Sequence, residues 1–220
     1  MKLTIRNRLL AVLILAALIP TAIVAGISYQ RARSALITEA FARAALETAS
    51  TSKEMLTFME QFEADLLAFS EMPPVQRIIR AQDNGGIDPQ SNAVLAVWVN
   101  DHTQYFRAIS QNNLAHQQLR YLNRRDDEIV RVDHRNGQVI LVSGTDRLQN
   151  KGKNSHLTAA RALQAGEVAV SALILNREQG HIELPHVPVL RFSTPIYDPA
   201  GRFRGVVVTN VSAKSFLERL

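Results

Sequence analysis

At 220 residues, 46% of them hydrophobic and none of them cysteine, the chain is long and apolar enough for one domain with accessory helices, and it cannot form disulfides or cysteine-ligated metal centres. The formal charge of +5 belongs to the N-terminus, where Lys2, Arg6, Arg8, Arg31 and Arg33 are the only charges in the first 33 residues; beyond them 20 basic side chains face 20 acidic ones. The body of the chain is therefore neutral, and no nucleic-acid partner is expected despite the sequence pI of about 9.9.

Leu9 to Ile27 passes 19 residues without a charge, interrupted only by Pro20 and Thr21. At 1.5 Å per residue this spans about 28 Å of the roughly 30 Å hydrocarbon layer, which predicts a transmembrane helix over residues 9–28 in contact with lipid, preceded by a cytoplasmic 1–8. The competing reading is a cleaved signal peptide, with Met1 to Arg8 as n-region and Ala25-Gly26 near a cleavage point. Against it, the run exceeds the ~7 to 15 residues of an h-region, and no Ala-x-Ala motif follows. Three cations before the span and two after it favour a cytoplasmic N-terminus.

No Gly or Pro occurs between Ser28 and Met72, so one long helix is expected to leave the bilayer and stop at Pro73-Pro74. Met55, Met59, Phe62, Leu66 and Phe69 follow heptad spacing, while the same frame backwards meets Ser52, Thr48, Ala45 and Phe41. This seam suits a helix docked on its own domain or a homodimer through the long helix. After the breakers Gln82 to Gly86 and Asp88-Pro89, a second helix is predicted from about Ser91 to Gln117, which makes 29–117 a helical segment.

The period then changes. Strands are expected at Leu119 to Leu122, Glu128 to His134 and Gln138 to Val142, the last two joined by the hairpin signal Asn136-Gly137. A short helix from Ser155 to Ala165 precedes strands at Glu167 to Leu175, Val187 to Tyr197 and Arg202 to Val211. A helix then begins at Ser212, and 212–220 reads as the start of a connecting helix that a longer protein continues. The predicted fold class is α+β: an N-terminal transmembrane helix, a long extracytoplasmic helix and a mostly antiparallel sheet with flanking helices over 118–211.

The sequence holds no nucleophile elbow, zincin motif, phosphate-binding loop or dinucleotide fingerprint, so no catalytic residue, metal or cofactor is predicted. His181, Glu183 and His186 are the histidine grouping nearest to a metal-site spacing, but Pro185 breaks the pattern and a solvated hairpin is the reading. Arg191 lies inside the apolar run Val187 to Phe192, where a guanidinium requires an anionic partner or a route to an edge. That partner is either a protein acid such as Glu183 or Asp133, or a ligand carboxylate or phosphate.

Several segments in order carry a resemblance: Gln118 to Leu122, Glu128 to Val132, Leu148 to Lys151, Gly166 to Val168, Leu175 to Glu183, Pro188 to Ile196 and Gly201 to Asn210. Together they resemble the membrane-distal module of double-Cache, PAS-like extracytoplasmic sensor domains, found in bacterial transmembrane histidine kinases, diguanylate cyclases and chemoreceptors. The resemblance implies a non-enzymatic, ligand-sensing periplasmic domain anchored in the bacterial inner membrane. It would bind a small, anionic molecule or a periplasmic partner protein and move the long helix; any kinase or cyclase domain would lie in a missing C-terminal part. The alternative is a membrane-tethered interaction domain without a small-molecule ligand. The expected ligand-binding set is Arg191 as an anion anchor, because a guanidinium inside an apolar strand needs a partner, with Tyr121, Arg131, His156 and Asn176 as neighbours brought together by the sheet and the short helix. Two departures fall in this region: Ser155-His156-Leu157 stands where similar proteins carry aromatics, and Ile174 stands where an acid often precedes Asn176 by two residues.

Overall fold

A computed structural model describes residues 5–144, 147–152, 155–178 and 181–217. The chain divides into two units, Met1–Glu54 and Met55–Leu220. The first is helical throughout its described length, and its apolar run is exposed at Leu9, Leu13, Leu18 and Val24. It belongs to helix α1 (Ile5–Ser70), which is long and apolar enough to cross a membrane. The seam on the last turns of α1 behaves as a docking face. Phe62, Leu66 and Phe69 are buried, whereas Met55 is exposed and Ser52, Thr48, Ala45 and Phe41 are exposed as well.

Pro73 and Pro74 end α1 and also open a helix that the breaker pattern concealed, α2 (Pro73–Asp83). Proline fits the first helical turn, where its missing N–H has no intrahelical partner. The connection to α3 (Leu95–Asn112) is tied by Asp88, whose carboxylate accepts from both Arg80 Nε and Nη2 at 2.8 and 3.1 Å, from Ser91 Oγ at 2.8 Å and from the Gln90 N–H. These bonds, Arg80 first, hold the Asp88 carboxyl well below the usual carboxylate range. α3 is shorter at both ends than the expected Ser91 to Gln117, because β1 already starts at His116.

The remaining elements are β1 (His116–Asn123), β2 (Glu128–Arg135), β3 (Gln138–Val142), α4 (Ser155–Arg161), β4 (Ala169–Val170), β5 (Ile174–Leu175), β6 (Arg177–Glu178), β7 (His181–Ile182), β8 (Pro188–Tyr197), β9 (Phe203–Ser212) and α5 (Lys214–Leu217). The main sheet runs β3-β2-β1-β9-β8-β4, with β5 also on β8 and every pairing antiparallel. Asn136 and Gly137 both have positive φ, 51° and 75°, as the tight β2–β3 turn requires. The single strand expected over Glu167 to Leu175 is instead two short pieces, and α4 ends four residues before the expected Ala165. His181 lies in the small β6–β7 hairpin, as the solvated-hairpin reading had it.

Register assigns the two faces. Leu119, Tyr121, Val130, Val132, Leu190, Phe192, Val207 and Val211 pack with Phe62, Leu66, Phe69, Val75, Ile78 and Phe106 in the main core beneath the helices. The opposite face has an apolar half, where Leu157 and Ala160 of α4 cover Leu122, Val206 and Val208. Its other half is polar.

Candidate functional site

The polar half follows from strict alternation. Alternating with the core residues Leu119 and Tyr121 of β1 stand Gln118 and Arg120; alternating with Val130 and Val132 of β2 stand Arg131 and Asp133; between Leu190 and Phe192 of β8 stands Arg191. The register aligns Asp133, Gln118, Asn210 and Arg191 in one row across four strands, and Arg131, Arg120, Val208 and Ser193 in the next.

Gln118, Arg120, Glu128, Arg131, Asp133, Asn176 and Asn210 are all buried. Buried polar groups on this scale demand partners, and they form a connected network. Arg120 donates to Asn210 Oδ1 at 2.8 Å, and Asn210 Nδ2 donates to both Gln118 Oε1 and Asn176 Oδ1 at 2.9 Å. Asn176 Nδ2 in turn donates to Glu183 Oε2 at 2.7 Å. Arg131 grips Asp133 with two parallel bonds of 2.8 Å, the strong bidentate geometry. Glu128 lies 3.6 to 4.0 Å from Arg120, Arg131 and Lys151. Arg135 bridges Asp133 at 3.3 Å and Glu183 at 3.2 Å. Among the described residues the face gathers Arg120, Arg131, Arg135, Lys151 and Arg191 with Glu128, Asp133 and Glu183. A cleft of about 220 Å³ opens at its edge, lined by residues that include Gln118, Arg135, Asn176 and Glu183.

Of the residues singled out from the sequence, Arg191, Arg131 and Asn176 share this face. Tyr121 does not join them. Its register with Val130 and Val207 turns it to the helix side, where it is fully buried, its ring lies 6.0 Å from that of His102, and burial pushes the phenol up. His156 belongs to α4, but its side chain lies outside the described residues. Of the two acids considered as protein partners of Arg191, Asp133 meets Arg131 and Arg135, and Glu183 meets Arg135 and Asn176. Gln118, Arg120, Arg135, Lys151 and Asn210 were not singled out. The signal for Gln118, Arg120 and Arg135 was the period-two polar stripe in β1 and β2, which becomes decisive only once register is known.

The comparisons agree with this architecture. The family described as bacterial histidine kinase, sensor domain, matches residues 100–220, and the chain belongs to that family. Among solved structures it is similar to the extracellular domain of a histidine kinase, with 18% identity and a TM-score of 0.63, covering 78% of this chain and 57% of that one. A domain of a sensory box/GGDEF family protein from Vibrio parahaemolyticus gives 18% and 0.61, covering 74% and 57%. The sensor domain of the V. cholerae histidine kinase DctB gives 11% and 0.52, covering 76% and 54%. The chain therefore spans somewhat more than half the length of these solved domains. No curated protein sequence matches it. The class implied by the double-Cache resemblance, an α+β sensor domain of the histidine kinase type, is the class found.

Proposed function

We propose that this chain is the ligand-sensing part of a membrane-anchored bacterial receptor, and that the polar half of its sheet binds a small anionic molecule. The observation that carries this reading is the network of charged groups itself: among the described residues Arg120, Arg131 and Lys151 are buried with Glu128 and Asp133, and the more open Arg135, Arg191 and Glu183 adjoin them. Arg191 is the proposed anchor, with Arg131 and Asn176 as neighbours, because a guanidinium fork suits a carboxylate or phosphate. Tyr121 is left out for its place in the core.

The proposed output runs through α1. Its last turns pack on the sheet through Phe62, Leu66 and Phe69, and the same helix contains the apolar run. Interface shifts of about 1–2 Å are the usual scale of such signalling, and a helix is stiff enough to pass them on. In this reading the N-terminus is cytoplasmic, the sheet domain is periplasmic, and catalysis belongs to another part of the protein. The test is a thermal-shift screen of the full chain in detergent against small carboxylates, phosphates and sulfates. At least one saturable stabilisation is expected. A flat response to all of them, with stabilisation only by a periplasmic protein, would replace this reading by the interaction-domain alternative.

A further inference from the structure

The three carboxylates of the polar face are held in different ways. Asp133 receives both arms of Arg131 and is almost fully buried. Glu128 is buried too, and it accepts the Gln149 N–H at 3.0 Å as well as standing among three cations. Removing either from its partners would strand a buried charge. Glu183 differs. Its side chain is 18% exposed and faces Arg135, which is 36% exposed, at 3.2 Å; ion pairs this open to water are weak and exchangeable. Its second oxygen accepts from Asn176 Nδ2 at 2.7 Å, and Asn176 is anchored in turn on Asn210. Glu183 also lines the cleft of about 220 Å³, which is roomy enough for a small organic anion.

Resting on the reading of this face as an anion site, we infer that Glu183 is a built-in competitor of the ligand. Its carboxylate fills, in the ligand-free domain, the place between the Arg135 guanidinium and the Asn176 amide that a ligand carboxylate takes on binding. One oxygen meets each donor, an arrangement that the two oxygens of a ligand carboxylate reproduce. The sensor's affinity is thereby set by the strength with which Glu183 holds its own place. Binding then exchanges one carboxylate for another at Arg135 and releases the segment that follows β7.

The test is acetate rescue in the full chain, in detergent at constant ionic strength. Acetate should raise the thermal midpoint of Glu183→Ala saturably, by about 4 °C at ten times its dissociation constant, while moving wild type far less. Adding Arg135→Ala should abolish the gain. Glu183→Gln, which keeps the shape and loses the charge, should also respond to acetate, so the test stands if the alanine variant folds poorly. Equal responses of wild type and both Glu183 variants, or a gain that survives loss of Arg135, would overturn the inference. A wild-type anion response that needs Arg191, without acetate rescue, would remove the competitor while leaving the anion site standing.

Discussion

His102 and His116 are fully buried on the helix side of the sheet, where charge is expensive. The His102 ring packs against that of Phe106, tilted by 52° with centroids 4.2 Å apart, and neither of its ring nitrogens has a hydrogen-bond partner among the described residues. His116 shares a 2.8 Å hydrogen bond between Nδ1 and Thr209 Oγ1, lies against Phe62 and Phe69 of α1, and turns Nε2 towards Asp65 at 3.8 Å. Asp65 would favour an imidazolium, but 3.8 Å is too long for a hydrogen bond, and burial prevails, pushing both histidines down to about 4. On acidification the unfolded chain, with imidazoles near 6.5, takes up protons first. The stability that depends on neutral histidines is therefore complete above about pH 6.5 and withdrawn between 6.5 and 4, at most on the order of 3 kcal/mol for each. Urea melts at pH 7.5, 6 and 4.5 should show this slope, and His102→Phe should flatten it. An unchanged slope in that variant would show that His102 does not titrate as its burial requires.

At the scale of elements, β1 and β9 approach so closely that a Cβ on Gly205 would collide with the carbonyl oxygen of Leu122, beside the irregularity where β1 shifts register against β2. Backbone cannot yield as a side chain can, so Gly205→Ala should cost about 3 kcal/mol or more, measured by chemical unfolding. A loss below about 1 kcal/mol would mean that the strand pair relaxes freely. The docked turns of α1 give the second element-scale expectation. Leu66 is fully buried in the main core, so Leu66→Ala should cost about 2–5 kcal/mol, whereas the exposed Leu46→Ala should cost little. Equal effects of the two would contradict docking through this seam.

These elements also show what was legible beforehand. The β2–β3 hairpin was readable because Asn136-Gly137 supplies two residues that tolerate positive φ, and the apolar run of α1 was readable from length alone. Helix α2 was not, because Pro73-Pro74 carries the same signal for a helix stop and a helix start. Arg191 was legible as a charge in an apolar strand, and alternation then put it opposite Leu190 and Phe192. Tyr121 was grouped with it because a one-residue difference in register exchanges faces, and register depends on neighbours distant in sequence. Asn210, nearly a hundred residues from Gln118, joins the network only through the β1–β9 pairing.

For the whole molecule, the proposed function requires α1 to cross the membrane and the sheet domain to stand in the periplasm. Reporter fusions after Leu220 should be active only outside the cytoplasm; cytoplasmic activity alone would reverse the topology. The central claim, that the polar half of the sheet is a binding site, is tested most directly at Arg191, by measuring the thermal midpoint of wild type and Arg191→Ala in the full chain with and without the stabilising anion. The account predicts that Arg191→Ala keeps its ligand-free midpoint nearly unchanged and loses the anion-induced shift. A variant that unfolds without ligand, at a cost of about 3–5 kcal/mol, would instead show Arg191 holding a buried structural pair and would contradict the site.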